Sequence, residues 1–479
     1  MKNYTLNIAL LLSLLFIVSC SEHKGSPDKP KQVHEKIDHY ISSLIKADEI
    51  PGMAIAVVKD GQIIHKKNYG LANIAHNVPV TDSTLFRVYS TSKLITIVAI
   101  FQLIEVGKIS LDDPISKYID HLPELWQNIK IEHLISYSSG LPEYKDFDRY
   151  LSDKSMLAKL AKQALHYPKG YKYEYVQTNF WFLQLIIEKI TGQKFEEFVK
   201  QNQFKNHSNH VVFASNSLVD IPFRVAKYQY NKEYNAYEKT TYEAGPRSLA
   251  GNGLNINLNA LLDWNTKLDK DQLLKREIKL KMMSPYKYEN NPFPFSHGWG
   301  IYGPEGKQYY GFAGGGVSAF MKFIDKDISI IILSNGFRNR PVISDAIIYL
   351  SGLSDSDLIR EERMLNEDIR LAFILNNYTD ALKIYKAIKL KNNTLNFERG
   401  LNKAGHHYFS KEQIDTSIAI FKLYTNEYPN SSNAFNNLGD AYFNKKQYAL
   451  AKENYQKSLE LNPKNENAKE MLNKLERGI

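Results

Sequence analysis

The chain contains a single cysteine, Cys20, in 479 residues, so no disulfide can close within it. Its folded parts must rest on packed cores, and a hydrophobic fraction of 43% is enough to build them. The formal net charge is +9 and the pI about 9.0, yet no block of arginine and lysine and no nucleic-acid motif accompanies that charge. Nucleic acid is therefore not an expected partner. No metal or cofactor is expected either. The one long apolar stretch, Leu6 to Val18, is too short for a comfortable membrane span. Disorder is excluded over most of the length by 12% aromatics, with 31 tyrosines among them.

The amino terminus reads as a leader. Lys2 precedes the apolar run, which ends Ile17-Val18-Ser19-Cys20. This resembles a bacterial lipoprotein signal. The resemblance implies removal of residues 1–19, acylation of Cys20 and a lipid anchor in the bacterial cell envelope, where a basic surface suits anionic polymers. Residues 20–35 then read as a tether, polar and broken by Pro27, Pro30 and Gly25.

Chemistry first shows itself in Phe86-Arg-Val-Tyr-Ser-Thr-Ser-Lys93, where Ser90 and Lys93 stand in a Ser-x-x-Lys spacing. The following stretch, Leu94 to Val106, is apolar on nearly every face and ends at Gly107, the pattern of a buried helix. Residues three apart share a helix face, so Lys93 reaches the Ser90 hydroxyl. The helix N-terminus offers N–H groups to an anion and makes an ammonium easier to deprotonate. A serine beside a partly neutral lysine is an activated nucleophile.

A first globular region is expected over 36–355. Helical spacing in His34 to Ala47 is followed by two β-rich runs around Asp60-Gly61, a hairpin signal. A buried helix is expected from Phe180 to Ile190, closed by Gly192. Strand-like runs crowd from His297 to Leu333. The order of strands, helices and strands predicts an α+β fold in which the first and last strands share one antiparallel sheet.

Several stretches together resemble the serine β-lactamase and penicillin-binding-protein-like hydrolases, class C type. They are Phe86 to Lys93, Gly107 to Pro114, Ile131 to Tyr144 with Ser139-Gly-Leu-Pro142, Tyr175-Val-Gln177 and Leu249-Ala-Gly-Asn-Gly-Leu254. The resemblance implies that Ser90 is the nucleophile, Lys93 its partner and Tyr175 the acid and base of a Tyr-x-Asn motif. Two positions depart from that pattern. Gln177 stands where the motif has asparagine, and Phe312 stands where the third motif, here Phe312-Ala-Gly-Gly-Gly316, begins with a lysine or histidine.

The roles implied are specific. Ser90 attacks an acyl carbonyl, Lys93 or Tyr175 takes its proton, and Tyr175 protonates the leaving group and activates the deacylating water. The N–H groups of Ser90 and Gly315 form the oxyanion hole. Gln177, Phe312, Ala313 and Gly314 bound the substrate, with Gln177 orienting an acyl amide or Lys93. Phe312 acts as a hydrophobic wall without a cation for a substrate carboxylate, which favours esters or apolar acyl groups.

The region 356–479 has a different character. At an offset of 34, Gly405 pairs with Gly439, Tyr408 with Tyr442, Phe421 with Tyr455 and Pro429 with Pro463. This resembles the tetratricopeptide repeat. A third, degenerate unit is expected upstream, with Leu358 to Leu375 as its first helix or a linker, and a capping helix over Lys464 to Gly478. Such an array binds a protein partner or braces the enzyme domain. Two functions are thus open: a serine-dependent acyl hydrolase acting on a small-molecule or peptide substrate, or a catalytically degenerate lipoprotein that binds envelope peptides or partners through its repeats.

Overall fold

The computed structural model describes residues 28–290, 292–338 and 341–477. Cys20, the leader over 1–19 and the start of the expected tether lie outside these residues. The remainder of that tether is helical instead, because the first helix runs Asp28–Lys46. Pro30 falls in its first turn, where a missing N–H is tolerated. Val33 packs against a core, so the chain gains apolar contact by starting the helix early.

The strands are β1 (Gly52–Lys59), β2 (Gln62–Asn73), β3 (Val78–Pro79), β4 (Phe86–Arg87), β5 (Val211–Phe213), β6 (Lys227–Asn231), β7 (Ala236–Thr240), β8 (Leu254–Ile256), β9 (Gly300–Tyr302), β10 (Tyr309–Gly314), β11 (Ser318–Phe323) and β12 (Ile328–Ser334). The main sheet has the order β3-β2-β1-β12-β11-β10-β9. β1 pairs antiparallel with both β2 and β12, so the first and last strands do share one sheet. The Asp60-Gly61 turn between β1 and β2 has positive φ at both residues, 51° and 70°, the twist a tight hairpin needs.

β1 and β12 are buried on both faces, and their alternation divides two cores. Ala54, Ala56 and Val58 join Phe320, Ile331 and Leu333 on one side. Met53, Ile55 and Val57 join Met321, Ile330 and Ile332 on the other. The first core is closed by the helices Ser92–Glu105 and Thr178–Thr191, the latter ended by Gly192 at φ 69°. The second is closed by Asp28–Lys46 and Pro341–Ser354. A small sheet of order β4-β8-β5 pairs Arg87 with Asn255. It thereby brings the Leu249–Leu254 stretch beside the strand that leads to Ser90.

The carboxy-terminal region stacks helix pairs. These are Glu361–Leu375 with Tyr378–Lys391, Glu398–Ser410 with Ile414–Glu427, and Ser432–Asn444 with Tyr448–Leu461, followed by Glu466–Glu476. The repeat of 34 has a steric cause. A Cβ on Gly405 would lie 2.2 Å from the Phe421 ring, and one on Gly439 would lie 2.7 Å from the Tyr455 ring. The Leu358–Leu375 stretch proves to supply the first repeat helix rather than a linker.

That helix is docked on the N-terminal domain by a buried polar cluster. The Tyr40 hydroxyl donates to Glu367 at 3.2 Å, and Arg370 donates to Glu367 at 2.7 Å and to Glu49 at 3.5 Å. His407 Nδ1 lies 2.6 Å from Glu49 Oε1; the carboxylate is an acceptor, so Nδ1 carries the proton. Burial alone would raise the Glu49 carboxyl, but His407 and Arg370 hold it down at about 2. Burial lowers His407 against the pull of Glu49.

Breaking such a buried pair leaves its partners uncompensated, at a cost of about 3–5 kcal/mol. Glu49→Ala should therefore lower the first urea transition at pH 7. A carboxyl depressed in the fold stabilises above its unfolded value and loses that contribution as pH falls from 4.5 towards about 2. The gap between wild type and variant should shrink over that window. Equal urea midpoints at pH 7 would show that this cluster does not hold the dock.

Candidate active site

Ser90 sits in a single 3₁₀ turn, Tyr89–Thr91, that runs into the helix Ser92–Glu105. Tyr89 takes φ 46°, unusual for a side chain of its size, and the turn is sharp as a result. Its neighbours hold it there. Ser92 Oγ donates to Tyr89 O at 2.5 Å, and Ser318 Oγ donates to Val88 O at 2.7 Å. Thr91 Oγ1 lies 2.9 Å from Ser318 Oγ and 3.3 Å from Phe312 O. These bonds stitch the end of β10 and the start of β11 to the turn that carries the serine.

The stitch is close enough to demand glycine. A Cβ on Gly314 would fall 2.0 Å from Val88 O and 2.9 Å from Ser90 N. Gly315 takes φ 57° and faces the Tyr89 ring, where a Cβ would meet carbon at 2.9 Å. The expected oxyanion donors, Ser90 and Gly315, are thus brought to neighbouring positions. Ala313, on the opposite side of β10, is exposed.

Lys93 is fully buried. Its Nζ donates to Gly251 O at 2.8 Å, to Gln177 Oε1 at 3.0 Å and to Ser90 Oγ at 3.4 Å. Burial lowers Lys93, against the influence of Tyr175. A neutral amine in this place keeps two donors for Gly251 and Gln177 and turns its lone pair to the Ser90 hydroxyl. Ser90 Oγ lies 2.7 Å from the Tyr175 hydroxyl. Burial alone would raise Tyr175, but the Lys93 charge and the Ser90 hydrogen bond outweigh it and lower the phenol.

Gln177 is buried and turns its carbonyl to Lys93, so of its two expected tasks the structure places it for orienting the lysine. Phe312 is buried, with its ring 6.2 Å from that of Tyr175 and 6.3 Å from that of Phe295. The ring is part of the first core.

Two residues were not anticipated. Asn252 accepts a hydrogen bond from Ser90 Oγ at 3.1 Å on its side-chain carbonyl, while its amide donates to Gln177 Oε1 at 2.9 Å. It links the serine to the glutamine. The signal lay in the Gly-Asn-Gly of the Leu249–Leu254 stretch: a Cβ on Gly251 would crowd Gln177 Oε1 at 3.0 Å. Tyr137 is fully buried at φ 56° and stacks on Tyr175 with centroids 5.0 Å apart. No pattern in the sequence marks it.

The beta-lactamase family profile matches residues 37–353, two thirds of the chain, the whole of the site included. The chain belongs to the beta-lactamase family. A tetratricopeptide repeat profile also matches residues 432–465. Protein flp of Staphylococcus aureus strain MRSA252 is 26% identical over 38% of this chain and 39% of its own length. The chain therefore spans about two fifths of that curated relative. An octameric penicillin-binding protein homologue from Pyrococcus abyssi superposes with a TM-score of 0.59 at 22% identity, covering 71% of this chain and 81% of its own. The D-amino acid amidase from Ochrobactrum anthropi SV3 gives 0.57 at 15% identity, covering 69% and 99%. At such identities these neighbours establish only the fold of the N-terminal beta-lactamase-like α+β domain; the helical repeat region that follows it rests on its own helices and repeat match.

Within this beta-lactamase-family site, Gly314→Ala tests the stitch between β10 and the serine turn. The added Cβ has to displace backbone, so the thermal midpoint should fall and serine labelling by a phosphonate should slow more than tenfold, a rise of about 1.4 kcal/mol or more in the barrier. Equal labelling rates for Gly314→Ala and wild type would rule out this close approach.

Proposed function

We propose that this chain is a serine acyl hydrolase that works through an acyl-enzyme on Ser90. The observation that carries the reading is the hydroxyl of Ser90 held 2.7 Å from Tyr175 and 3.4 Å from a fully buried Lys93. A lysine lowered by burial and a phenol lowered by the lysine charge beside one serine favour proton removal below the ordinary lysine and tyrosine range.

In the proposed reaction Ser90 Oγ forms a bond to the acyl carbon as its proton passes to Lys93 or to Tyr175 phenolate. The Ser90 and Gly315 N–H groups receive the carbonyl oxygen. Tyr175 passes the proton to the leaving alkoxide or amine as the tetrahedral species breaks. Water then repeats the sequence on the acyl-serine. Asn252 and Gln177 hold the serine and the lysine in register.

The substrate class follows from the walls. The partly exposed Tyr175 ring beside Ser90 is backed by the buried rings of Phe312 and Phe295. A carboxylate placed against Phe312 loses water without gaining a partner, a cost of roughly 1–3 kcal/mol or more. Esters, and amides without a carboxylate at that position, are the proposed substrates. The D-amino acid amidase that shares the fold keeps amides within this class. The Cys20 anchor and an envelope location complete the proposal; palmitate incorporation that is lost in Cys20→Ser tests them.

A phosphonate probe should add once to the wild type by intact mass and not to Ser90→Ala. An unlabelled wild type, or labelling that survives the substitution, would leave the chain as a degenerate binding member of its family. p-Nitrophenyl esters should be hydrolysed, with cephalosporin turnover weak or absent. Phe312→Lys should shift that ratio towards substrates bearing a carboxylate. Efficient cephalosporin hydrolysis by the wild type would contradict this account of the wall. The rate of acylation should rise with pH to a plateau reached below the ordinary lysine and tyrosine values of 10.5 and 10.0.

A further inference from the structure

A cavity of about 320 Å³ borders Tyr89 rather than Ser90, between the β6–β7 hairpin, residues 217–226 and the end of β12. Arg87, Arg224, Lys227 and Lys239 line it, against one carboxylate, Asp220. Among the described residues none of the four cations has a carboxylate within salt-bridge distance.

Arg87 is the decisive member. It is only 7% exposed, and its Nε donates to Asn252 O at 3.2 Å. Its two terminal nitrogens are buried and have no hydrogen-bond partner among the described residues. The guanidinium carbon lies 4.8 Å from the Tyr89 ring centroid and 4.1 Å from that of Tyr242. Those ring contacts answer its charge but leave the outer N–H groups unused. Lys227 Nζ stands 4.7 Å from the Tyr89 ring on the same cavity. Arg224 spends its donors on the carbonyls of Asn216, Ser217 and Val219.

Several cations around one cavity repel one another, and buried guanidinium donors without acceptors are costly. A planar or tetrahedral anion with two or more oxygens answers both problems, because a guanidinium edge meets such groups in a fork. We infer that this cavity is a binding site for a small oxyanion, a carboxylate or phosphate group, held by Arg87 and Lys227 and separate from the acylation site. Its occupant touches the serine only at one remove. Arg87 holds the backbone carbonyl of Asn252, and the Asn252 side chain accepts from Ser90 Oγ.

Calorimetric titration of the full chain with inorganic phosphate, and separately with acetate, tests this at ionic strength matched with chloride. At least one of the two should bind. Phosphate alone assigns a phosphate group, acetate alone a carboxylate, and both a general oxyanion site. Lys227→Gln combined with Lys239→Gln should weaken the binding roughly fivefold or more, with unchanged circular dichroism. Ser90→Ala should bind as the wild type does, whether or not Ser90 proves to be the acylated residue. No heat from either anion up to about 50 mM, a concentration that reveals even weak binding, would overturn the inference. So would binding that ignores the lysine substitutions or disappears in Ser90→Ala.

Discussion

The site depends on a lysine amine held in a protein core. Lys93 lies on a helix that is buried on every side, and its Nζ is surrounded by Gly251 O, Gln177 Oε1 and Ser90 Oγ. Loss of hydration disfavours the ammonium, while three acceptors keep the group from being stranded. This balance decides where every other site residue must stand. Gln177 and Asn252 are oriented towards the lysine and the serine. Tyr175 is lowered by the same cation that burial destabilises.

The second constraint is proximity of backbone to backbone. Val88, Ser90 and Gly314 approach so closely that a single Cβ cannot be inserted. Thr91 and Ser318 complete the contact with hydroxyls, which adapt their direction to the acceptors at hand. A sheet that passes through two cores presents this edge at a fixed height, and the 3₁₀ turn meets it there. Charge is distributed unevenly around the same turn. The Phe312 ring lies beside Tyr175, whereas cations gather in the cavity beyond Tyr89.

The repeat helices stand at the opposite side of the main sheet from Ser90. They join through the second core, with Leu371 packed in it and Arg370 and His407 paired to Glu49 and Glu367. A buried charged cluster of this kind tolerates one arrangement, since displacement would leave Arg370 without acceptors. Bracing of the N-terminal domain is thus built into the helices Glu361–Leu375 and Glu398–Ser410.

The elements legible in the sequence were those with local causes. A helix apolar all round, an Asp-Gly hairpin, a glycine-ended helix and a repeat of 34 each follow from nearest neighbours along the chain, and each is present. Ser90 and Lys93 were legible because three residues on a helix fix their meeting. Asn252 and Tyr137 were not, because each acts across a distance in sequence: Asn252 reaches Ser90 only through the β4–β8 pairing, and Tyr137 reaches Tyr175 only through ring stacking in a core. The helical start at Asp28 was hidden by proline and polar residues whose preference was overruled by packing on the second core. The sequence by itself determined the family, the order of β-rich and repeat regions and the meeting of Ser90 with Lys93, since these rest on short-range patterns. The tertiary structure alone decided which amide faces the lysine, which glycine admits the sheet edge and where the Arg87 guanidinium lies, because those depend on atoms brought together from distant parts of the chain.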